Sequence, residues 1–419
     1  MTLQPSAQKG DKTIPHAAAL SRRALFTLIC SLLSVYLVLW CFTGEWPFLP
    51  STYNSYALQA TRWLQGHLDL GQNYSYLEIA QYGGRYFISF PPIPSVLLLP
   101  LCLVFGAAAP DGLLSVVMSL LGAVYAMKLA LAMGRGERSA LFWALFLTVG
   151  SNFLHVGYCA DVWYLAQTCS FAFTMLSFYY AMAGPLSAAW RSPLFLALAF
   201  GCRPLQIVYL PLVAWLLWGK LRGSGYSLSS ALRRFWWWVL PPLAVGCFLM
   251  GLNFARFGDP FQFGHDYLPE FALEKENGQF HLSYLPGNFA KLWRLPAVEG
   301  GKVVFPTFNG CAFWLLSPIF LAFAVYLCKG ARWALRQGTV LLASASILLH
   351  FLALCLHATM GGWQFGNRYT VDALPALYCA LMVLLSRERS DLPALTRPAF
   401  LFGLCLNLMG TVALMNHWI

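Results

Sequence analysis

Residues 76–94 read YLEIAQYGGRYFISFPPIP. They bring together one carboxylate (Glu78), one guanidinium (Arg85), a Gly83-Gly84 turn, three tyrosines and a Pro91-Pro92 break. The segment stands in a 419-residue chain that is 59% hydrophobic and only 10% charged, with mean hydropathy +0.61. Soluble domains carry about 25% charged residues, so the chain reads as an integral membrane protein whose apolar runs of about 20 residues cross the bilayer as helices. Packing between such helices does not call for a polar, aromatic, turn-rich segment. Its place is a large loop at the membrane surface, with Pro91-Pro92 starting a new helix rigidly.

Working outward, residues 1–23 form a basic tail and 24–43 the first span. Residues 44–111 make the first outer loop, with an amphipathic surface helix over 54–66 and a short apolar juxtamembrane or re-entrant helix over 95–109. Further spans fall near 112–133, 139–155, 163–183, 192–203, 204–219, 235–255, 309–328, 337–358, 370–386 and 398–416, about 11 in all, with a second large outer loop at 256–308. This is an all-α polytopic architecture in one membrane domain, 24–419. With the N-terminus inside, 18 of the 27 Lys and Arg residues face the cytoplasm, as the positive-inside rule expects. Twelve of the 16 acidic residues lie outside or at outer span ends, so chemistry is expected on the extracytoplasmic face.

The net charge of +11 does not indicate nucleic acid, because its cations cluster between apolar runs and form no stripe interleaved with aromatics. The 12 cysteines include no CxxC pair, which points away from a zinc site or a disulfide framework. No Walker, dinucleotide-binding or HExxH motif is present.

Four stretches could carry chemistry on that face. Glu78, among aromatics at a membrane surface, has the setting of a general base whose pKa is raised by partial desolvation; Asp69 in GHLDL is a second candidate. Asp161, in HVGYCADVWYLAQ (155–167), sits where one span ends and the next begins, and would act as a second acid that orients the acceptor or a metal. Arg368 in GGWQFGNRYTVDALP (361–375) suits phosphate recognition, with Asp372 at i+4 placed to hold its fork. Arg203 in GCRPLQ is an intramembrane charge at a Pro-broken helix, and Arg85 is a further cation for a phosphate. NFARFGDPFQFGH (253–265) has the composition of a loop that covers a site. Each has a plainer reading as well: solvated carboxylates for Glu78 and Asp69, a helix N-cap for Asp161, a helix-face ion pair for 368 and 372, and freed carbonyls as partners of Arg203.

These residues resemble the GT-C superfamily of polytopic glycosyltransferases, which includes protein mannosyltransferases and the bacterial lipid A aminoarabinose transferase. The likeness covers roughly 24–390. It rests on Glu78 followed by Gly84-Arg85-Tyr86-Phe87 and Pro91-Pro92, on Arg203-Pro204, on Asn253 with Arg256-Phe257-Gly258, and on 365–369 with Asp372 and Pro375. Two positions depart: Ser51-Thr52-Tyr53 replace paired acids, and Ile93 stands where Gly usually follows Pro-Pro. The resemblance implies an inverting transfer from a polyprenyl-phosphate sugar to a glycan, lipid or protein hydroxyl on the outer face of a bacterial cytoplasmic membrane. Glu78 and Asp161 would be catalytic, and Arg368, Arg203 and Arg85 would hold the phosphate. Tyr86, Asp69, Tyr369 and Asp372 would support them, with a divalent cation left open.

Two rivals stand beside it. A transporter or flippase of lipid-linked glycans commonly shows internal repeats with matching broken spans, and no such halves are visible here. A non-catalytic assembly protein would tolerate loss of every outer carboxylate.

Overall fold

The computed structural model describes residues 20–46, 48–272, 277–388 and 394–419. Most of the tail 1–23, with Lys9, Asp11 and Lys12, lies outside the described residues, as do Glu274, Lys275, Glu276, Arg389 and Asp391.

Helix α1 (Arg22–Thr43) begins behind Ser21, whose hydroxyl accepts the Ala24 N–H, and ends at Gly44 in the left-handed region, start and stop signals of the usual kind. Helix α2 (Ser55–Leu64) falls on the predicted surface helix. It buries Tyr56, Ala57 and Ala60 against Ile93, Leu98 and Cys102. The opening stretch is a β-hairpin, β1 (Ile79–Tyr82) against β2 (Arg85–Ile88), paired from Ile79↔Ile88 to Tyr82↔Arg85. A two-residue hairpin turn of this kind requires positive φ at both central residues, and Gly83 (56°) and Gly84 (74°) supply it.

The hairpin is pinned from behind. Arg256 donates to the Ile88 carbonyl (2.9 Å) and to Asn253 Oδ1 (2.8 Å), and Phe87 meets Phe257 at 5.3 Å. Pro92 then caps α3 (Ile93–Phe105), a 13-residue helix about 20 Å long, too short to span. Ile93 is used in packing: its N–H bonds the Gly201 carbonyl at 3.2 Å, and a Cβ on Gly201 would collide with its side chain.

The bundle follows with α4 (Asp111–Ala132), α5 (Glu137–Thr148), α6 (Phe153–Tyr158), α7 (Val162–Met182), α8 (Arg191–Phe200), α9 (Leu210–Gly223), α10 (Leu228–Phe235) and α11 (Leu240–Phe257). Among the described residues, seven helical stretches are long and apolar enough to cross a membrane: Arg22–Thr43, Asp111–Ala132, Pro204–Gly223, Leu228–Phe257, Gly338–Leu356, Arg368–Leu385 and Thr396–Met415. The other predicted crossings fall on helices that are shorter, interrupted or less apolar. The span predicted over 139–155 is broken between α5 and α6, where Ser151 Oγ turns back to the Leu147 carbonyl (2.6 Å) and the Asn152 N–H bonds Ser317 Oγ (3.0 Å). Helix α7 is 21 residues long and buried along nearly its whole length. Its neighbours are α4, α8 and α9, so Gln167, Ser170, Thr174 and Ser177 sit in its core-facing surface at no cost in lipid contact; Thr174, for one, donates to Gln206 Oε1 at 2.9 Å.

The segment after α11 holds α12 (Pro269–Ala272), α13 (Leu285–Lys291) and a small hairpin, β3 (Ala297–Glu299) with β4 (Lys302–Val304). It folds onto 357–363 through bridges Phe280↔His357 and Phe308↔Trp363. Asn288 Nδ2 adds bonds to the Cys355 (3.2 Å) and His357 (2.7 Å) carbonyls. The chain closes with α14 (Phe313–Leu316), α15 (Ile319–Lys329), α16 (Ala331–Ala334), α17 (Gly338–Leu356), α18 (Leu374–Leu385) and α19 (Thr396–Met415). One hydrophobic core runs from Ala24 on α1 to Val412 on α19.

Candidate active site

Glu78 stands immediately before β1, half-buried, between Leu77 and Ile79 in a small apolar cluster. Its Oε2 accepts the indole N–H of Trp163, the second residue of α7, at 3.4 Å. Trp163 is itself placed by the segment after α1: the Val162 N–H bonds the Tyr53 carbonyl (3.1 Å) and the Tyr53 ring lies 5.0 Å from the indole. Ser51 gives both its N–H (2.7 Å) and its hydroxyl (2.6 Å) to Asp111 at the head of α4. Ser51-Thr52-Tyr53 thus acts as a brace that fixes the partner of Glu78. Burial pushes the Glu78 carboxyl above the ordinary carboxylate range, while the Trp163 bond and the Arg368 guanidinium pull it back down.

The two intramembrane arginines meet around Asp372 and Tyr369. The expected Arg368–Asp372 pair does not form. Residues Arg368–Ala373 are a 3₁₀ helix, in which i and i+4 point about 120° apart, and Asp372 turns to Arg203 instead. Arg203 Nη2 and Nε reach Asp372 Oδ2 at 2.9 and 3.1 Å, and Gln167 Nε2 adds a weaker bond at 3.4 Å. Asp372 is 1% exposed, so this is a buried pair. Arg368, 6% exposed, is held by aromatic surfaces: its guanidinium lies 4.6 Å from the Tyr369 ring and 5.6 Å from the Tyr164 ring, and Nη2 donates to the Tyr369 hydroxyl at 3.3 Å. Its Nη1 is buried with no hydrogen-bond partner. Arg203 also lies over Tyr369, at 5.0 Å, so one tyrosine separates a neutralised arginine from one with a donor to spare.

Asp161 takes the N-cap position of α7, but its carboxylate makes no capping bond. Burial, with the like charges of Asp111 and Glu45, pushes it up to about 6, against a Tyr53 backbone bond that lowers it. Because its folded pKa lies above the ordinary 3.8, the folded state holds more protons between pH ~4 and ~6, and stability must fall as pH rises through that window. Asp161→Asn is expected to flatten this slope and to raise stability at pH 7 by about 1–2 kcal/mol after allowance for residual solvent. Thermal unfolding in detergent across pH 4–8 would check it; a variant with the wild-type slope would show that Asp161 is not the source.

The remaining candidates lie outside this cluster. Asp69 accepts the Gly71 N–H at 2.8 Å and pairs with Arg62 at 3.6 Å, which fixes the turn after α2. Tyr86 is half-buried, and its carbonyl accepts the Leu70 N–H (2.8 Å). Arg85 is exposed at the hairpin tip, across from Tyr82. Among the described residues, no group of three or more His, Cys, Asp or Glu side chains is placed to hold a metal ion.

No family profile and no curated protein matches the chain. Solved structures do. ArnT from Cupriavidus metallidurans bound to undecaprenyl phosphate superposes with a TM-score of 0.54 at 15% identity, over 96% of this chain and 78% of that one. The apo form of the same protein gives 0.52 at 16% identity, over 94% and 77%. The chain shares the overall fold of these ArnT structures. It is a multi-pass membrane protein of that architecture, and it brings Glu78, Trp163, Tyr164, Arg203, Arg368, Tyr369 and Asp372 into a connected set.

Within this fold, three contributors went unassigned at the level of sequence: Trp163, Tyr164 and Gln167. They follow Asp161 at +2, +3 and +6 on the first turns of α7; Trp163 meets Glu78, while Tyr164 and Gln167 meet the 3₁₀ segment, where Gln167 Nε2 also bonds the Arg368 carbonyl at 3.0 Å. A Gln so close to the start of an apolar helix was the available signal. His350 is a fourth, 3.0 Å from the Tyr369 carbonyl, and it steadies the tyrosine that both arginines share.

Proposed function

We propose that the protein is a membrane glycosyltransferase that moves a sugar from a polyprenyl-phosphate carrier to an acceptor hydroxyl on the extracytoplasmic face of a bacterial cytoplasmic membrane. The observation that carries this reading is the first turn of α7, where Trp163 bonds the Glu78 carboxylate and the next residue, Tyr164, lies against Arg368, a buried guanidinium with an unpartnered donor. A general base and a cation for a departing phosphate are the two groups that glycosyl transfer from a lipid phosphate demands. The same fold in ArnT, solved with undecaprenyl phosphate, supports a polyprenyl carrier.

In the step envisaged, the acceptor oxygen attacks the anomeric carbon as the bond from that carbon to the phosphate oxygen breaks. The acceptor proton passes to Glu78, and the bonding pair leaves on the polyprenyl phosphate, whose growing negative charge faces Arg368. Arg203, neutralised by Asp372, positions Tyr369 and so the cation. Asp161, at the entrance to α7, orients the acceptor.

The test is reconstitution of the purified protein in liposomes with a panel of polyprenyl-phosphate sugars and candidate acceptors. Release of free polyprenyl phosphate, seen by phosphorus NMR, is expected for the matched pair. Movement of the intact donor between leaflets would favour a flippase instead, and absence of both across the panel would favour an assembly role.

A further inference from the structure

At the end of α7 farthest from Glu78, about 30 Å along its 21 residues, a second set of polar groups gathers where α4, α7, α8 and α9 meet. Tyr125 and Tyr180 share a hydroxyl–hydroxyl bond of 3.0 Å. Arg191, at the start of α8, donates Nη1 to the Tyr180 hydroxyl at 3.2 Å and lies over the Tyr180 and Trp190 rings at 5.4 and 5.7 Å. Lys128, one turn beyond Tyr125 on α4, places its ammonium 4.8 Å from the Tyr125 ring and 5.8 Å from that of Tyr179. Lys220, near the end of α9, donates to the Tyr180 (2.9 Å) and Gly184 carbonyls.

Three cations therefore surround two tyrosine hydroxyls. Lys220 is committed to carbonyls that close α7. Lys128 and Arg191 are not paired with a carboxylate among the described residues; their partners are ring faces and one hydroxyl. Lys and Arg at span ends reach the membrane interface, where anionic headgroups attract them, and the ring faces here supply only part of a counter-charge. Lys128 and Tyr125 are half-buried while Arg191 is exposed, so the set is open on one side. The open side lies at the level of lipid headgroups, whose anionic oxygens match the two cations.

We propose that Lys128, Arg191, Tyr125 and Tyr180 form a binding site for the phosphodiester headgroup of an anionic phospholipid, in the leaflet opposite the candidate active site. Arg191 and Lys128 contact the phosphate oxygens from two sides, and the tyrosine hydroxyl pair bonds the headgroup oxygens between them. The site is independent of the transfer chemistry, but it grips α4 and α7, the helices that begin at Asp111 and Asp161. A bound headgroup therefore clamps the bundle beneath the active site.

The experiment is a thermal-stability and native mass-spectrometry titration of the purified full chain in detergent. The probes are phosphatidylglycerol, phosphatidylcholine of the same acyl chains, and inorganic phosphate. Phosphatidylglycerol is expected to bind and raise the unfolding midpoint of the wild type, and the other two to do neither. In Lys128→Gln/Arg191→Gln, phosphatidylglycerol binding should weaken about thirtyfold, two cations' share of attraction to an anionic headgroup, with the midpoint shift lost. The charge-keeping swap Lys128→Arg/Arg191→Lys should retain most of the shift, which guards against a variant that is merely misfolded. Equal protection by phosphatidylcholine, protection by inorganic phosphate alone, or undiminished phosphatidylglycerol binding in the double Gln variant would each overturn the site.

Discussion

Glu78→Gln is expected to lower sugar transfer by about 10²–10⁴-fold, the usual contribution of a positioned general base, while membrane expression and donor affinity stay near wild type. The amide keeps the volume of the side chain and can still accept the Trp163 indole bond, 3.4 Å in the native protein, so the surroundings of α7 should not move. What is lost is the ability to take a proton. The wild type should also lose activity as pH falls, because burial has lifted the Glu78 carboxyl above its ordinary range and protonation removes the base. That acid limb should vanish from the residual activity of the Gln variant. Trp163→Phe, which removes one donor that lowers the Glu78 pKa, should move the limb to higher pH without abolishing turnover. Near-normal transfer by Glu78→Gln would remove Glu78 as the base, and a pH limb unchanged in both variants would assign it to another group.

The sequence made the helical scaffold legible because lipid imposes a simple rule on every span it touches. It was less informative where protein replaced lipid. Helix α7 is surrounded by other helices and carries buried Gln, Ser and Thr, so its functional side chains merge with ordinary packing ones. The hairpin at 79–88 was seen as a turn and missed as strands, since four residues on either side of Gly-Gly give two periods of alternation at most. The Arg368–Asp372 expectation failed for a geometric reason. An i+4 spacing was assumed to mean an α-helix, and the Asn367 backbone leads into a 3₁₀ turn, which hands Asp372 to an arginine 169 positions away. Ion pairs of that separation leave no trace in a single sequence.

That exchange of partners sets apart two neighbouring charges that composition cannot tell apart. Asp372→Ala should destabilise the protein by about 3 kcal/mol, the lower part of the range for breaking a buried pair, because it leaves the Arg203 guanidinium facing Tyr369 with no counter-charge; the Arg203 side chain is 20% exposed, which keeps the loss from the upper part. Replacing both partners by apolar groups, Arg203→Met with Asp372→Leu, should recover most of that stability, since neither charge is then stranded. Arg368→Gln should behave in the opposite sense. The guanidinium has ring and hydroxyl contacts and one unpartnered nitrogen, so its removal costs little stability and relieves a buried positive charge. Its loss should instead fall on the lipid phosphate, with weaker donor binding and turnover reduced by about 10²–10³-fold, as for other groups that meet developing charge. Unfolding midpoints together with donor affinities separate these outcomes. If Arg368→Gln unfolds the protein as readily as Asp372→Ala does, or leaves donor affinity untouched, Arg368 is a structural residue and the phosphate lies elsewhere.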